Sequence, residues 1–309
     1  MASIEPPYTL EGLKNWRPNP EAPAIRFCVV GDPVAHSASP PMHNAALKAS
    51  GIAMEYVRVH LRPTELQEGF SLLLQHGFIG VNFTIPHKTA VMPLLDSIDP
   101  CAERLGAVNT VRFEGGKSRG YNTDGPGLVR AVAASFGVKL GNLRAMVIGA
   151  GGGAGRAAAI QCALEGCPEI TLVNRTLSKA QALAHSLHEL TTASPALTIH
   201  AVEDTPKNIS DAMSRTDVVL QCSSLGMASE DASPIPKRAI ERRHLIYDTI
   251  YSRRTQLIHD AEAQGAEYAN GLSMLLHQGA LAFEIWLQRP APVDAMNAAL
   301  IAIAGIKRA

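Results

Sequence analysis

Apolar and polar positions along this chain alternate with two different periods, and the changes between them mark out elements. Arg26–Val30 is a short apolar run that stops at Gly31-Asp32-Pro33, a turn. Pro40–Ser50 has helix-forming composition and stops at Gly51. Glu55–Leu61 alternates like a strand, Thr64–His76 is amphipathic with a stop at Gly77, and Gly80–Ile85 reads as the next strand. This β-α-β-α-β order implies right-handed crossovers and a mostly parallel sheet. Around Gly125–Gly141 the pattern changes. A helix over Gly127–Phe136 leads to a strand at Arg144–Ile148, a glycine run, an alanine-rich helix over Ala154–Glu165 and a strand at Glu169–Val173. Further strands are expected at Asp217–Gln221 and His244–Tyr247, with helices between them. Gly271–Gln288 and Pro292–Ile306 predict two helices apolar nearly all round, which need burial and can return to cover the first domain. Residues 1–24 read as an N-terminal extension. The expectation is an α/β chain of two domains. One spans residues 25–125 and is completed by helices over about 272–309; the other spans 126–271.

Length and composition narrow the class. At 309 residues, 46% hydrophobic and 18% charged, the chain can bury two cores and is not disordered. Twenty-eight basic residues balance 28 acidic ones, so nothing electrostatic argues for nucleic acid or an anionic membrane as partner. The cysteines, Cys28, Cys101, Cys162, Cys167 and Cys222, are odd in number and follow no ligand spacing; reduced thiols and no metal are expected. Met1–Pro23 lacks the apolar core of a secretory signal, and no run of about 18 apolar residues exists. A cytoplasmic location follows as an expectation, in which the three glycosylation sequons at Asn82, Asn174 and Asn208 go unused.

Three stretches carry candidate chemistry. Asn82-Phe83-Thr84-Ile85-Pro86-His87-Lys88-Thr89-Ala90, Ala107-Val108-Asn109-Thr110 and Tyr121-Asn122-Thr123-Asp124-Gly125 each end an apolar stretch with polar groups. Side chains at the carboxyl ends of parallel strands line a ligand crevice. One cation, Lys88, one anion, Asp124, and several neutral hydrogen-bonding groups suit binding a polyhydroxylated small molecule and moving one proton on it. An ordinary lysine, with pKa ~10.4, is a poor proton shuttle at neutral pH. Burial lowers that value and a nearby carboxylate raises it, so Lys88 and Asp124 are expected to titrate as a coupled pair; a structural salt bridge is the plain alternative. Ser37 and Ser39 alternate around His36, so in an extended stretch both hydroxyls reach one carboxylate. Otherwise Ser37 caps the helix opening at Pro40-Pro41. Thr84 and Asn109 serve either substrate hydroxyls or a strand-end turn. His36 and His43 read as structural.

Gly149-Ala150-Gly151-Gly152-Gly153-Ala154-Gly155 follows a strand and opens a helix, and Gly149, Gly151 and Ala154 fit G-x-G-x-x-A. Such a loop, with Gly152 and Gly153 in it, lets backbone approach a pyrophosphate at a helix N-terminus. At the end of the next strand an NAD site places an acid. Here stand Asn174-Arg175-Thr176, with Lys179 one turn on, and a cation there suits the 2′-phosphate of NADP.

With these motifs in order, the chain resembles the shikimate dehydrogenase family over about residues 25–305. Gly31-Asp32-Pro33-Val34-Ala35-His36-Ser37-Ala38-Ser39-Pro40 is similar to the family's opening signature, whose paired serines hold the substrate carboxylate. The resemblance puts Thr84 on the substrate, Lys88 at the reaction with Asp124 as its partner, and Asn109, Tyr251 and Gln278 among the substrate contacts. It puts Asn174, Arg175 and Thr176 at the NADP phosphate, and Gly271, which opens Gly271-Leu272-Ser273-Met274-Leu275-Leu276-His277-Gln278, with the cofactor contacts. Its implied architecture is a mostly parallel substrate domain and a Rossmann-type NADP domain flanking a cleft. Its implied reaction is the NADP-dependent interconversion of 3-dehydroshikimate and shikimate on the route to chorismate and the aromatic amino acids, in a monomer or homodimer. A quinate (or quinate/shikimate) dehydrogenase, or one for an aminated analogue, is the neighbouring alternative. A catalytically silent metabolite-sensing regulator is the alternative of another class, against which the retained Lys88 and Asp124 argue. Four features depart from the common family form: a glycine loop one residue longer, Cys222 in Gln221-Cys222-Ser223-Ser224, Arg253-Arg254 after Tyr251, and Ser273 in place of glycine.

Overall fold

The structure, a computed structural model, describes residues 6–190 and 197–304. Its contacts divide the chain into two compact units, one of residues up to Asp124 together with Leu276 onward, the other Gly125–Leu275.

The first unit runs β1 (Tyr8–Thr9), α1 (Leu10–Lys14), β2 (Ala24–Gly31), α2 (Ser39–Ala49), β3 (Met54–His60), α3 (Leu66–Gln75), β4 (Gly80–Phe83), α4 (His87–Ala90), β5 (Ser97–Ile98), α5 (Pro100–Leu105), β6 (Thr110–Glu114) and β7 (Lys117–Tyr121). Its sheet has the order β1-β3-β2-β4-β6-β7-β5. The strands β1 to β4 pair in parallel, as the βαβ pattern predicts. The hairpin β6–β7 does not: β6 runs antiparallel to β4 and to β7. Its tight turn is Gly115-Gly116, both at positive φ (59° and 76°), the conformation a two-residue hairpin loop needs. This reversal positions the site. Asn82 of β4 pairs with Thr110, and Thr110 with Tyr121, so the start of β6 and the end of β7 come to the same edge as the end of β4.

Strand β3 shows the packing logic. Val57 and Val59 face a core that includes Cys28, Val30, Phe70, Val81 and Phe83. The alternate set Tyr56, Arg58 and His60 faces the other way. Residues 8–16 depart from the expected loose extension. Strand β1 pairs with β3, Leu13 is fully buried in the core, and Trp16 stacks on His76 with ring centroids 5.8 Å apart. The apolar residues of this segment were too few and too widely spaced to read as an element.

The second unit follows α6 (Asp124–Phe136), which opens on the last residue of the first. It runs β8 (Ala145–Ile148), α7 (Gly153–Glu165), β9 (Glu169–Asn174), α8 (Leu177–Leu190), β10 (Thr198–Glu203), α9 (Pro206–Met213), β11 (Val218–Gln221), β12 (Leu245–Asp248), α10 (Gln256–Ala263) and β13 (Glu267–Asn270). All six strands are parallel in the order β10-β9-β8-β11-β12-β13, the doubly wound order of a dinucleotide-binding sheet.

Two helices close the chain, α11 (Leu272–Leu287) and α12 (Val293–Ala304); the end expected for the latter at Ile306 lies outside the described residues. From Leu276 onward they belong to the first unit. Trp286 explains why: its indole N–H donates to the Val111 carbonyl at 2.9 Å, and its ring occupies the space a Cβ on Gly80 would take, 2.4 Å from that position. Among the described residues no helix is long and apolar enough to cross a membrane.

Candidate active site

Lys88 lies on α4, just past the end of β4. The turn leading to it is held by backbone: Thr84 N–H donates to Val30 O at 2.9 Å, Asp32 N–H to Ile85 O at 3.0 Å, and His87 N–H to Thr84 O at 2.8 Å. The buried His87 ring adds a bond from Nε2 to the Leu61 carbonyl at 2.7 Å, which fixes α4 under the next residue. Lys88 Nζ then meets Asp124 Oδ2 at 2.7 Å. Asp124 opens α6, where the free N–H groups of a first turn favour a carboxylate, and its own N–H donates to Asn122 Oδ1 at 3.0 Å. About a third of the Lys88 side chain stays exposed (34%) against 16% of Asp124, so the cation keeps donors free to face a bound molecule.

Behind this pair lies a buried polar network. Asn109, 2% exposed, donates from Nδ2 to Thr123 Oγ1 at 2.9 Å and accepts from Thr123 N–H at 2.8 Å. Thr110 Oγ1 donates to Asn109 Oδ1 at 3.0 Å and receives Asn82 Nδ2 at 3.0 Å, and Asn82 Oδ1 accepts the Tyr56 phenol at 2.8 Å. Burial of these groups is tolerable because each is hydrogen-bonded. Burial pushes the ionisation of this phenol well up, so it stays a neutral donor. Asn109 thus stands at the start of an antiparallel strand, not at the end of an apolar run as expected, and reaches the site because β6 runs backwards.

The two serines are also placed differently from the expectation. The segment is not extended: Ala38 is in the helical region (φ −85°, ψ −1°) and Ser39 is the first residue of α2. Ser37 Oγ accepts the Ser39 N–H at 3.3 Å, so it does contribute to the helix opening, and Ser39 is buried at 7% exposure while Ser37 is half-buried. Gln278, on α11, belongs to this same unit and is half-buried. Tyr251 follows β12 in the second unit, and burial raises its phenol above the ordinary value.

In the second unit the glycine run joins β8 to α7. Gly149 is at φ 79°, and a Cβ there would lie 2.8 Å from Ser223 backbone. A Cβ on Gly151 would meet Asn174 Oδ1 and Lys179 Cβ at 2.9 Å, and one on Gly155 would meet Gly149 O at 2.2 Å. These three glycines answer to packing. Gly152, the N-cap, and Gly153, the first helical residue, do not: Gly152 has only Gly149 O within 4 Å and Gly153 has nothing. Their bareness opens space for a ligand in front of Gly153, Ala154 and Gly155, whose N–H groups precede the first intrahelical acceptor bond, Arg156 N–H to Gly152 O. This fits a pyrophosphate. Asn174 braces the arrangement, accepting Gly151 N–H at 3.0 Å and donating to Thr176 O at 2.9 Å. Arg175, Thr176 and Lys179 are exposed beside it, a donor set that suits a phosphate monoester. Gly271 is tight against backbone, 1.9 Å from Thr249 O to a Cβ placed there, so its lack of a side chain serves packing.

The departures have local explanations. Ser273 Oγ lies 2.7 Å from the Tyr247 hydroxyl, a partner for a phenol that burial pushes to about 12. Arg254 pairs with Glu262 at 2.6 Å and lies over the Tyr268 ring. Gln221, fully buried, ties the loop after β11 by bonds to Ser223 and the Leu225 carbonyl. Burial and the neighbouring Asp248 carboxyl raise the half-buried Cys222 thiol to about 12, which favours its neutral form. Sequence reasoning missed Tyr56, Arg58 and Thr123. Alternation in β3 sets Tyr56 and Arg58 on the face opposite Val57 and Val59, but nothing local names their partners.

The substrate binding domain of shikimate dehydrogenase matches residues 29–111, the C-terminal domain of shikimate 5′-dehydrogenase matches residues 271–301, and the NADP binding domain of saccharopine dehydrogenase matches residues 145–272. The NADP-dependent shikimate dehydrogenase of Natronomonas pharaonis is 42% identical over 278 residues, covering 89% of this chain and 97% of that protein. Among solved structures, shikimate 5-dehydrogenase from Thermus thermophilus in complex with NADP(H) and shikimate superposes with a TM-score of 0.76 at 34% identity, covering 91% of this chain and 99% of that one. Quinate dehydrogenase from Corynebacterium glutamicum in complex with NAD superposes with a TM-score of 0.81 at 28% identity, covering 90% and 99%.

Proposed function

The chain belongs to the shikimate dehydrogenase family, and on that premise we propose that it catalyses the reversible NADP-dependent reduction of 3-dehydroshikimate to shikimate. The observation that carries this reading is the 2.7 Å pair of Lys88 and Asp124, set at the strand-end edge of the first unit with Thr84, Asn109, Ser37 and Ser39 at the same edge. Ser37 and Ser39 hold the carboxylate. Thr84, Asn109, Gln278 and Tyr251 take the ring hydroxyls. Lys88 donates a proton to the ketone oxygen as that oxygen becomes an alcohol, and Asp124 holds the ammonium in place. The pair acts as a unit and is reprotonated from solvent, which the exposed part of Lys88 reaches. NADPH, when bound, supplies the hydride to the ketone carbon. Gly149, Gly151 and Gly152 shape the loop, the N–H groups of Gly153 and Ala154 would hold its pyrophosphate, and Arg175, Thr176 and Lys179 its 2′-phosphate. Five free cysteines fit a reducing compartment, and we place the protein in the cytoplasm on that ground.

The test is an assay of shikimate and quinate, each with NADP and with NAD. Shikimate with NADP should give the highest kcat/KM. A higher kcat/KM on quinate would replace the substrate, since overall shape alone does not separate the two. Measurable binding of shikimate with no turnover on either substrate would favour a metabolite-sensing regulator.

A further inference from the structure

The loop carrying the two serines is held by few bonds of its own. Helix α2 opens without a side-chain cap, and its second and third residues, Pro40 and Pro41, have no N–H to donate. Within the loop, Ser37 N–H donates to Val34 O at 3.0 Å, and Ser39 N–H to Ser37 Oγ at 3.3 Å. The stronger restraint comes from β3. Arg58 donates from both Nε, at 3.1 Å, and Nη2, at 2.7 Å, to the Ser37 carbonyl. Two residues back on the same face, Tyr56 is fixed at both its backbone and its phenol. Its N–H donates to Asn44 Oδ1 at 2.8 Å, its carbonyl accepts Asn44 Nδ2 at 3.0 Å, and its hydroxyl donates to Asn82 Oδ1 at 2.8 Å. Asn44 lies on α2 itself, so β3 grips the helix at one point and the loop before it at another.

We propose that Arg58 is a positioning residue for substrate-carboxylate recognition: its guanidinium clamps the Ser37 carbonyl and thereby sets the Ser37 and Ser39 hydroxyls toward one anion. The proposal rests on the reading of Ser37 and Ser39 as the carboxylate-holding pair. The planar fork of arginine puts two donors on one acceptor and removes a rotational freedom that a single donor leaves; lysine cannot reproduce it. Recognition of a carboxylate by two neutral hydroxyls depends on their being arranged beforehand, because neither brings a charge to draw the ligand in. Loss of the clamp therefore weakens substrate binding and leaves the chemistry at Lys88 and the cofactor end alone.

The experiment compares wild type, Arg58→Met, Arg58→Lys and Ser37→Ala with shikimate and its methyl ester, together with NADP titration and thermal unfolding. Arg58→Met should raise KM for shikimate by about tenfold, the scale of one charge-assisted hydrogen bond. Its kcat should stay within roughly twofold, its KM for NADP should not move, and its preference for the acid over the ester should fall by about the same tenfold. Arg58→Lys should recover part of the loss, and carries the test if Arg58→Met does not fold. An unchanged preference for the acid over the ester, or a parallel fall in kcat and in the use of both substrates with a lowered Tm, would make Arg58 a scaffold residue and overturn the proposal. Ser37→Ala separates the two ideas. If it raises KM while both Arg58 variants do not, only the positioning role fails. If it leaves KM and the acid–ester preference untouched, the carboxylate reading itself fails and this proposal goes with it.

Discussion

At the scale of single residues, the proposed chemistry rests on a lysine that is neither fully buried nor free. A partly exposed ion pair contributes little to stability, on the order of 0–1 kcal/mol, so the 2.7 Å contact of Lys88 and Asp124 is better explained by reactivity than by folding. Lys88→Ala should lower kcat by about 10²–10⁴ with shikimate KM changed far less, since the serines and Asn109 remain. Asp124→Asn should act on the same step, and the double variant should lose less than the product of the two single losses. A variant with near-normal kcat and a raised KM would make Lys88 a binding residue. In the proposed reading, cofactor choice also rests on single residues. Arg175→Ala should raise KM for NADP by roughly tenfold to a hundredfold and leave NAD nearly unchanged, because NAD lacks the 2′-phosphate. Equal losses for both cofactors would place Arg175 on the adenine or the fold. Lys88, Asp124, Asn109 and Arg175 were legible in the sequence because each stands in a motif at a strand or hairpin end. Tyr56, Arg58 and Thr123 were not. Their roles come from partners far along the chain, Asn82, Ser37 and Asn109, and no local pattern marks such pairings.

At the scale of elements, the main surprise is the direction of a strand. Alternation and turn signals gave β2, β3 and β4, but Thr110–Glu114 and Lys117–Tyr121 are five residues each and end on short polar stretches that read as strand termini of either sense. Their antiparallel pairing, turned at Gly115-Gly116 with positive φ, is the hairpin that brings Asn109 and Asp124 together. The glycine run is a second case in which element and ligand make separate demands. Gly155→Ala would drive a Cβ against Gly149 backbone and should disturb the junction of β8 and α7, seen as a lowered Tm. Gly153→Ala meets no protein atom and should fold with an unchanged Tm, yet raise KM for NADP several-fold by crowding the phosphate; an unchanged KM would move the pyrophosphate elsewhere. The edge of β8 has a different staple. Arg144 donates from its backbone N–H, Nε and Nη2 to the Asp217 carboxylate, which holds that group below its ordinary 3.8. A carboxyl depressed in the folded state stabilises above its unfolded pKa, and the contribution is lost as pH falls through the folded value. Asp217→Asn should therefore cost about 0.5–1 kcal/mol at pH 7, a modest figure because solvent screens the pair, and the gap to wild type should close as pH drops below about 4. A gap constant with pH would mean the loss is one of packing.

At the scale of the whole molecule, two cores serve two tasks, and this division was the most legible feature of all. A change of pattern near Gly125 separates them, and the apolar last helices announce that something must cover them. The N-terminal segment was illegible because its contribution lies in a few side chains. Leu13 is fully buried in the first unit's core, and Trp16 lies between Tyr8, His76 and Phe78. The second unit has its own cluster around Met146, Ile148, Val219 and Ile246. Leu13→Ala removes buried methyl groups and should destabilise the first unit by about 2–5 kcal/mol. Ligands that bind only folded protein add stability by mass action, so each reports on the unit it binds. Saturating shikimate should restore much of the lost Tm in Leu13→Ala, because the serines, Asn109 and Lys88 all belong to the damaged unit. NADP should bind the variant at 25 °C with wild-type Kd, read by cofactor fluorescence, since the glycine loop and Arg175 belong to the other. Unfolding followed by Trp16 and Trp286, both in the first unit, should shift downward while a second, cofactor-dependent transition stays in place. A single transition that shifts as one block, with NADP affinity falling alongside it, would show that the two units fold cooperatively and that Leu13 supports the entire chain.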